Sequence, residues 1–280
     1  MKIGVNMRLI DDSPDVAELA ALAESLGFES IWLPEHPIIP VHTDSKYGGT
    51  PDGSIPPDMA HVADPFMGLA RASAVTTTLN LGTGICLVPE RNPLLLAKEI
   101  ATLDMLSGGR FIFGIGAGWL KEETEIMGGD FAHRWSQTRE SILAMKELWT
   151  KEEAEFHGRF YDFPPVRSFP KPARKPHPPV LLGGFAANVF RRVAAWGDGW
   201  MPTRVTPEQI SAGRAAIEEM AEAAGRDPAG FDVTVFGADA DRDLIRRFQQ
   251  AGADRAIVSL PAPVGEKAAR DLEGLAAKVL

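Results

Sequence analysis

The chain has 280 residues and a mass of 30.3 kDa, and its hydrophobic content of 45% with 24% charged residues excludes disordered, fibrous and coiled-coil classes. A formal net charge of -9 without clustered lysine and arginine excludes a nucleic-acid partner, and the single cysteine, Cys86, excludes a disulfide framework or a cysteine-ligated metal cluster. No apolar run approaches the roughly 20 residues that span a bilayer and the N-terminus has no signal-peptide core, so we expect a cytoplasmic protein without a membrane partner.

Apolar runs and amphipathic stretches alternate along the whole chain. The predicted strands are residues 2–7, 28–33, 79–85, 111–115, 180–182, 198–201, 233–236 and 255–260. The predicted helices are residues 13–27, 64–77, 92–107, 134–149, 186–195, 208–224, 244–251 and 265–280.

Several helix ends carry clear local signals. Ser13-Pro14 is the predicted start of the first helix, and Gly27 is its predicted end. Asn92 is the predicted N-cap of the third helix, with Pro93 at the first helical position, where its missing N–H costs nothing. These signals fix where the connecting loops begin.

Two long irregular segments interrupt the alternation. Residues 34–63 are rich in proline and glycine and too long for a simple connector, so we expect a loop that covers a site. Residues 154–179 form a second insertion, in which FHGRFYDF predicts a small β-hairpin before a proline-rich tract. Both insertions are expected to shape a substrate pocket.

Eight strands alternating with helices predict an α/β fold, a closed (β/α)₈ TIM barrel with insertions after strand 2 and before strand 5. A doubly wound parallel sheet is the alternative. No break in composition marks a linker, so residues 1–280 are expected to form a single domain.

In a barrel of this kind, active sites are built from residues that follow the C-terminal ends of the strands. This rule selects the candidates Asn6, Arg8, Glu35, His36, Ile85, Cys86, Arg91, Gly116, Gly118, Trp119, Glu122, Gly183 and Gly184.

His36 is the strongest titrating candidate, because an imidazole changes its charge near neutral pH and can exchange a proton with a bound ligand. The alternative is a histidine that only bonds a loop carbonyl. The remaining histidines fall in loops or insertions and are expected on the surface, and none has the spacing of a metal site: His42, His61, His133, His157 and His177.

Glycines follow two of the strands. Gly183-Gly184-Phe185 precedes a predicted helix, so its backbone N–H groups form either an anion pocket or an ordinary tight turn. In GIGAGW, Gly114 and Gly116 allow the backbone to approach another group, but the run does not complete a dinucleotide fingerprint.

Two further side chains have open interpretations. Cys86 is either a nucleophile or, more often for an isolated buried thiol, a packing residue. Trp119 is either part of a site or part of the core. No G-x-S-x-G elbow is present, which excludes that form of serine hydrolase.

Taken together, the ordered motifs resemble the luciferase-like monooxygenase superfamily, and more narrowly its coenzyme F420-dependent oxidoreductases. The resemblance covers nearly the full length. It is carried by WLPEHPIIP, LGTGICLVPERNPLLLAKEIATLDMLSGGR, FGIGAGWLKEE, FHGRFYDF, KPHPPVLLGGF and GDGWMP, in that order.

The resemblance implies roles for individual residues. His36 falls at the family's active-site histidine, and Glu35 at an acidic residue that contacts the ring of the cofactor. Gly84-Ile85 falls where many members have a non-prolyl cis peptide behind that ring. The other cofactor-binding residues implied are Cys86, Gly116, Trp119, Gly183, Gly184 and Phe185, of which Gly183 and Gly184 match the family's phosphate-binding turn.

The function that the resemblance implies is hydride transfer between F420 and an organic substrate, with His36 as the catalytic residue. A reduced-FMN monooxygenase is the alternative, and a cofactor-binding protein without turnover is a third. Trp119 stands where some F420 enzymes have a catalytic glutamate, which argues against a sugar-phosphate dehydrogenase. A homodimer is expected, because relatives commonly pair through outer helices.

Overall fold

A parallel barrel forms the centre of the computed structural model, which describes residues 1–186, 188–260, 263–265 and 267–280. The strands are β1 (Lys2–Asn6), β2 (Ser30–Leu33), β3 (Asn80–Thr83), β4 (Cys86–Leu87), β5 (Phe111–Gly116), β6 (Ala154–His157), β7 (Asp162–Val166), β8 (Val180–Gly183), β9 (Gly199–Met201), β10 (Asp232–Ala238) and β11 (Arg255–Ser259).

The helices surround this barrel. They are α1 (Val16–Leu26), α2 (Pro65–Ser73), α3 (Pro93–Leu106), α4 (Lys121–Ile126), α5 (Arg134–Thr150), α6 (Val189–Trp196), α7 (Pro207–Ala223), α8 (Arg242–Gln250) and α9 (Lys267–Val279). In the described part of the chain, none of them is long and apolar enough to cross a membrane.

Strand pairing closes the sheet on itself. The order is β3-β2-β1-β11-β10-β9-β8-β5-β4, and β3 also pairs with β5, so the ring is complete. All of these pairs are parallel, whereas β6 and β7 form a separate antiparallel hairpin. The predicted (β/α)₈ barrel is therefore confirmed, and so is the hairpin in the second insertion.

Local capping chemistry explains the helix starts. Asn92 Oδ1 accepts hydrogen bonds from the backbone N–H groups of Leu94 at 3.0 Å and Leu95 at 3.3 Å. For α1 the predicted start was wrong, because Asp15, rather than Ser13, caps the helix through a 2.9 Å bond from the N–H of Ala17. Gly27 ends α1 with φ of 97°, as predicted.

Other elements also differ from the prediction. The apolar run at 79–85 is split into β3 and β4 by a cis peptide bond between Gly84 and Ile85. Helix α4 was not predicted, because its six residues are too few to show a hydrophobic period. Helix α6 begins at Val189 rather than 186, and residues 187 and 266, which fell within predicted helices, lie outside the described residues.

Inside the barrel a small apolar cluster surrounds Trp32, which is fully buried. Two glycines on neighbouring strands leave the space that its ring occupies. A Cβ added at Gly82 would lie 2.2 Å from Trp32 Cε3, and one at Gly114 would lie 2.1 Å from the carbonyl oxygen of Thr83. Gly114 therefore lets the backbone approach another group, as expected, and that group is the carbonyl of Thr83 in the neighbouring strand.

An ion-pair network fills the N-terminal end of the barrel. Arg255 is 3% exposed and bonds Glu29 at 2.9 Å, Asp232 at 3.2 Å and the hydroxyl of Thr234 at 2.9 Å. Such a buried cation is tolerated because carboxylates surround it. With this end closed, the C-terminal end is the open one.

Candidate active site

A cavity of about 890 Å³ lies at the C-terminal ends of the barrel strands. Its size is that of a small-molecule or cofactor site. The predicted site residues that line it are Asn6, Arg8, Glu35, His36, Gly84, Ile85, Trp119, Gly183 and Gly184. Cys86, Gly116 and Phe185 are not among its lining residues.

His36 is held by a carboxylate. Its Nδ1 lies 2.8 Å from Oε2 of Glu123, and the two side chains are only 11% and 1% exposed. An ionised carboxylate accepts hydrogen bonds, so Nδ1 is the protonated ring nitrogen and Nε2 is the one left for a ligand. Among the described residues, no hydrogen bond involves Nε2. This is the geometry of a histidine that acts as a general acid or base and is oriented by a neighbouring carboxylate.

Sequence analysis selected Glu122, but Glu123 is the residue that reaches His36. Glu122 instead accepts the backbone N–H groups of Asp44 at 2.7 Å and Ser45 at 3.2 Å, which ties the long loop to α4. The sequence did carry a signal, since Leu120, Glu123 and Thr124 have helical spacing and all point inward.

Aromatic rings form one wall of the cavity. The rings of His36 and Trp119 meet edge to face with centroids 5.9 Å apart, and Tyr47 from the long loop lies 5.3 Å from Trp119. Trp119 is therefore a wall of the cavity and not a core residue. Flat apolar surfaces of this kind exclude water and accept an apolar or aromatic ligand.

The peptide bond between Gly84 and Ile85 is cis, at the position that the resemblance implied. A Cβ at Gly84 would lie 2.5 Å from the Phe236 ring, so the position requires glycine. Gly116 lies behind Ile85, since its own Cβ would lie 2.1 Å from Ile85 Cδ1. Gly116 thus makes room for Ile85, which lines the cavity, and does not line the cavity itself.

Asn6 leaves an acceptor without a partner at the base of the cavity. Its Oδ1 is buried and makes no hydrogen bond within the described residues. A buried amide oxygen without a partner costs about 1–3 kcal/mol, so a donor from a ligand would stabilise it.

The Gly183-Gly184 turn borders the cavity at the end of β8. Gly184 has φ of 108°, and a Cβ built there would meet nothing within 4 Å, so this backbone is open to a ligand. The indole Nε1–H of Trp200 donates to the carbonyl of Gly184 at 2.9 Å and fixes the turn. Phe185 is 48% exposed and packs on Trp200 outside the cavity.

The carboxylate of Glu35 is engaged within the protein. Its Oε2 accepts the N–H of Leu87 at 2.7 Å and its Oε1 pairs with Arg91, which also bonds Asp64 at 2.7 Å. Burial raises the pKa of the neighbouring Cys86 thiol well above its usual value, with the charge of Glu35 adding to this effect. Cys86 is therefore a packing residue behind the wall rather than a nucleophile.

Glu90 is a second buried carboxyl beside the His36–Glu123 pair, and sequence analysis did not select it. It is 4% exposed, and its Oε1 accepts the Thr124 hydroxyl at 2.9 Å. Its Oε2 is buried with no partner in the described residues. Burial, with repulsion from Glu123 next, raises the pKa of Glu90 to about 8.

The long loop, residues 34–63, lies over the cavity and is held at several points. Arg8 pairs with Asp58 at 2.8 Å, and the Arg204 guanidinium donates to the carbonyl of Gly48. Together with the bonds from Glu122, these contacts hold the loop as a cover, as its length and composition predicted.

Four of the other histidines lie on the surface as expected, but His177 does not. Its side chain is 10% exposed, and its ring lies 5.8 Å from that of Trp149. It is buried because the proline-rich insertion folds back under the barrel. In the described ranges, no group of three or more potential metal ligands comes together.

Fold and site define a class: a TIM-barrel enzyme with a histidine–carboxylate pair at an open mouth and a glycine turn beside it. The family profile described as "Luciferase-like monooxygenase" matches residues 6–256, so the chain belongs to this family. Members of the family are oxidoreductases and monooxygenases, and the protein is an oxidoreductase of this kind.

Relatives with both kinds of cofactor are found. An uncharacterized protein of Mycobacterium tuberculosis, Rv0953c, is 35% identical over 100% of this chain and 99% of its own. An F420-dependent glucose-6-phosphate dehydrogenase of Amycolatopsis mediterranei is 26% identical over 84% of this chain and 68% of its own. An FMNH₂-dependent dimethylsulfone monooxygenase of Pseudomonas putida is 36% identical over 38% of this chain and 31% of its own.

Solved structures share the fold. The monooxygenase RslO1 of Streptomyces bottropensis has a TM-score of 0.79 at 22% identity, with 99% of this chain and 98% of that chain covered. An F420-dependent secondary alcohol dehydrogenase in complex with an F420–acetone adduct has a TM-score of 0.76 at 19% identity, covering 100% and 99%.

Proposed function

We propose that this protein is an F420-dependent oxidoreductase that transfers a hydride between the deazaflavin ring and a small organic substrate, with His36 as the catalytic residue. The observation that carries the proposal is the His36–Glu123 pair, which lies at a cavity of about 890 Å³ bordered by Gly84 and Ile85. The family and the F420-dependent relative at 26% identity support it.

The residues around the cavity fit a tricyclic ring with an anionic tail. Asn6 offers an unpartnered acceptor to a ring N–H, and Gly84 with Ile85 forms a surface of backbone and apolar side chain for a flat ring. Gly184, which follows the buried Gly183 at the end of β8, offers exposed backbone to a phosphate. These residues would hold the cofactor.

When bound, F420 supplies a ring carbon that donates or accepts hydride. The protein's own residues position the substrate and handle the proton. Glu123 keeps the proton of His36 on Nδ1, so Nε2 can hold or move a proton at an oxygen of the substrate. Trp119 and Tyr47 exclude water and orient an apolar substrate.

A reduced-FMN monooxygenase is the second candidate, because the FMNH₂-dependent relative is 36% identical over the part that aligns. The same cavity and glycine turn would serve either cofactor. Titrating the protein with F420 and with FMN, followed by absorbance, separates the two. Binding of F420 with hydride exchange is the expected result, and binding of FMN alone would overturn the first proposal.

A matched pair of variants tests the role of His36. His36→Ala is expected to lower the turnover number much more than the affinity for cofactor, whereas His133→Ala, an exposed histidine, should change neither. Equal turnover in both variants would remove the role of His36. Tight cofactor binding without turnover on any substrate would instead indicate a binding protein.

Four finer features belong to the same proposal. The substrate is a small organic molecule. Glucose 6-phosphate, tested as a substrate, should not react, because Trp119 stands where some F420 enzymes have a catalytic glutamate. The chain acts as one catalytic domain over residues 1–280, in the cytoplasm, as a homodimer. Sedimentation of the purified protein tests the dimer.

A further inference from the structure

Glu90 is a buried carboxyl that the reaction proposed above does not use. It ends the short 3₁₀ turn Val88–Glu90, directly after β4, and its side chain reaches under the cavity wall to α4. There it lies next to Thr124, the residue that follows Glu123. The carboxylate that orients His36 and the hydroxyl that bonds Glu90 therefore lie on adjacent residues of one short helix.

The surroundings of Glu90 favour its neutral form. It is 4% exposed, the hydroxyl of Thr124 is its hydrogen-bond donor at 2.9 Å, and Oε2 has no partner in the described residues. Glu90 bonds the residue next to Glu123, and two buried carboxyls that repel each other do not both ionise readily. One of the pair therefore keeps a proton.

The hydrogen-bond donors around Glu90 and Glu123 indicate which of the two carboxyls keeps the proton. Glu123 has the His36 ring N–H at 2.8 Å and the backbone N–H of Ile38 at 3.4 Å, both of which stabilise a negative charge. Glu90 has a single hydroxyl donor. These contacts favour a negative charge on Glu123 over one on Glu90.

The other charged groups around Glu90 do not alter this assignment. Glu35, on the segment after β2, adds a second negative charge nearby. Arg91, the next residue in the chain, is the cation in reach, and it is bound to Glu35, Asp64 and Glu99. The positive charge of Arg91 is therefore largely neutralised by these three carboxylates, and it stabilises an ionised Glu90 only weakly.

We propose that Glu90 is a positioning residue: it retains a proton so that Glu123 stays ionised and holds His36 with the proton on Nδ1 and Nε2 free for the substrate. The proposal rests on the proposed function for its catalytic meaning, but its physical content concerns the protein alone. Ionisation of Glu90 would put a second charge beside Glu123 and disturb the His36 bond.

Nuclear magnetic resonance of the full chain without cofactor tests this directly. In protein labelled with ¹³C in glutamate carboxyls, one resonance is expected to titrate near pH 8, and it should be absent in Glu90→Gln. Glu125→Gln, which removes an exposed carboxyl from the same helix, should retain it. Titration of all glutamates below pH 6, or persistence of the resonance in Glu90→Gln, would overturn the proposal.

A second variant keeps Glu90 and changes its environment. Thr124→Val removes the hydroxyl that stabilises the ionised form, so the titration of Glu90 should move to higher pH. The ¹⁵N signals of His36 report the coupling: they should shift across the Glu90 titration in the unmodified protein and not in Glu90→Gln. If the ¹⁵N signals of His36 do not shift over the pH range in which Glu90 titrates, a positioning role for Glu90 is contradicted.

These measurements separate the two proposals. If neither F420 nor FMN binds, the proposed function is refuted, whereas the role of Glu90 is still tested by the titration of its carboxyl. If a cofactor binds and turnover is seen, kcat should fall above pH 8 in the unmodified protein and less steeply in Glu90→Gln. A profile identical in both would refute the link between Glu90 and His36.

Discussion

Replacing Glu90 with glutamine is expected to change how the free energy of unfolding depends on pH. In the unfolded chain this carboxyl titrates at its ordinary pKa of 4.5, whereas in the fold burial raises its pKa to about 8. Between these values the unfolded state loses the proton and the folded state keeps it. The stability of the unmodified protein therefore falls as pH rises, by about 1.4 kcal/mol per pH unit from this group.

The magnitude follows from the two pKa values. Over the whole titration the contribution of Glu90 amounts to about 5 kcal/mol, and between pH 5.5 and 7.5 to about 2–3 kcal/mol. Glutamine keeps the shape of the neutral carboxyl and does not titrate. The variant should thus gain stability over the unmodified protein as pH rises, and the difference should level off above pH 8.

Urea unfolding at pH 5.5, 6.5 and 7.5 measures this difference. Groups that are not coupled to Glu90 titrate equally in the two proteins, so the change in the difference reports Glu90 and its coupled neighbours Glu123 and His36. Glu125→Gln is the control, because its side chain is 52% exposed and should give a constant difference. A constant difference for Glu90→Gln as well would refute the assignment of a buried, neutral carboxyl.

Three further changes have defined outcomes. Glu123→Gln weakens the charged hydrogen bond to His36, worth about 1.5–3 kcal/mol, and should lower kcat about tenfold to a hundredfold in steady-state assays; an unchanged kcat would contradict the pairing. Gly82→Ala should lower the free energy of unfolding by about 1–3 kcal/mol through overlap with Trp32, whereas Gly274→Ala, in open space on α9, should raise it slightly. Burial would raise the pKa of Glu24, but hydrogen bonds from the backbone of residues 77–79 lower it to about 2. The ionised Glu24 therefore stabilises the fold above pH 4.5, and this stabilisation is lost as pH falls toward 2. Glu24→Gln should therefore cost about 2 kcal/mol at pH 7 by urea unfolding and almost nothing at pH 2, and an equal cost at both would count against this account.

Much of the fold is determined by local sequence. Apolar runs alternating with amphipathic stretches predicted the eight strand positions of the barrel, because each pattern matches the period of one kind of element. Asn92 with Pro93 and the glycine at 27 placed helix ends for local stereochemical reasons. The rule that barrel sites follow the strands then selected His36 without any contact information.

The partners of these residues depend on tertiary structure. Glu123 lies 87 residues from His36, so the helical spacing around Glu123 could indicate that it faces inward but not that it bonds His36. Gly82 and Gly114 make room for Trp32, and Gly116 makes room for Ile85, because strand register places them opposite large side chains. His177 became buried when an insertion folded back beneath the barrel.

The division has one physical cause. Strand and helix formation and capping depend on neighbours within a few residues, which the sequence contains in order. Other properties depend on atoms a few ångströms apart in space: the charge of a buried carboxyl, the space that a glycine leaves for a large side chain, and which nitrogen of His36 carries the proton. Barrel closure decides which atoms those are. The sequence by itself therefore determined the barrel and its mouth, and only the folded chain decided that Glu123 bonds His36 and that Glu90 bonds Thr124 of the same helix.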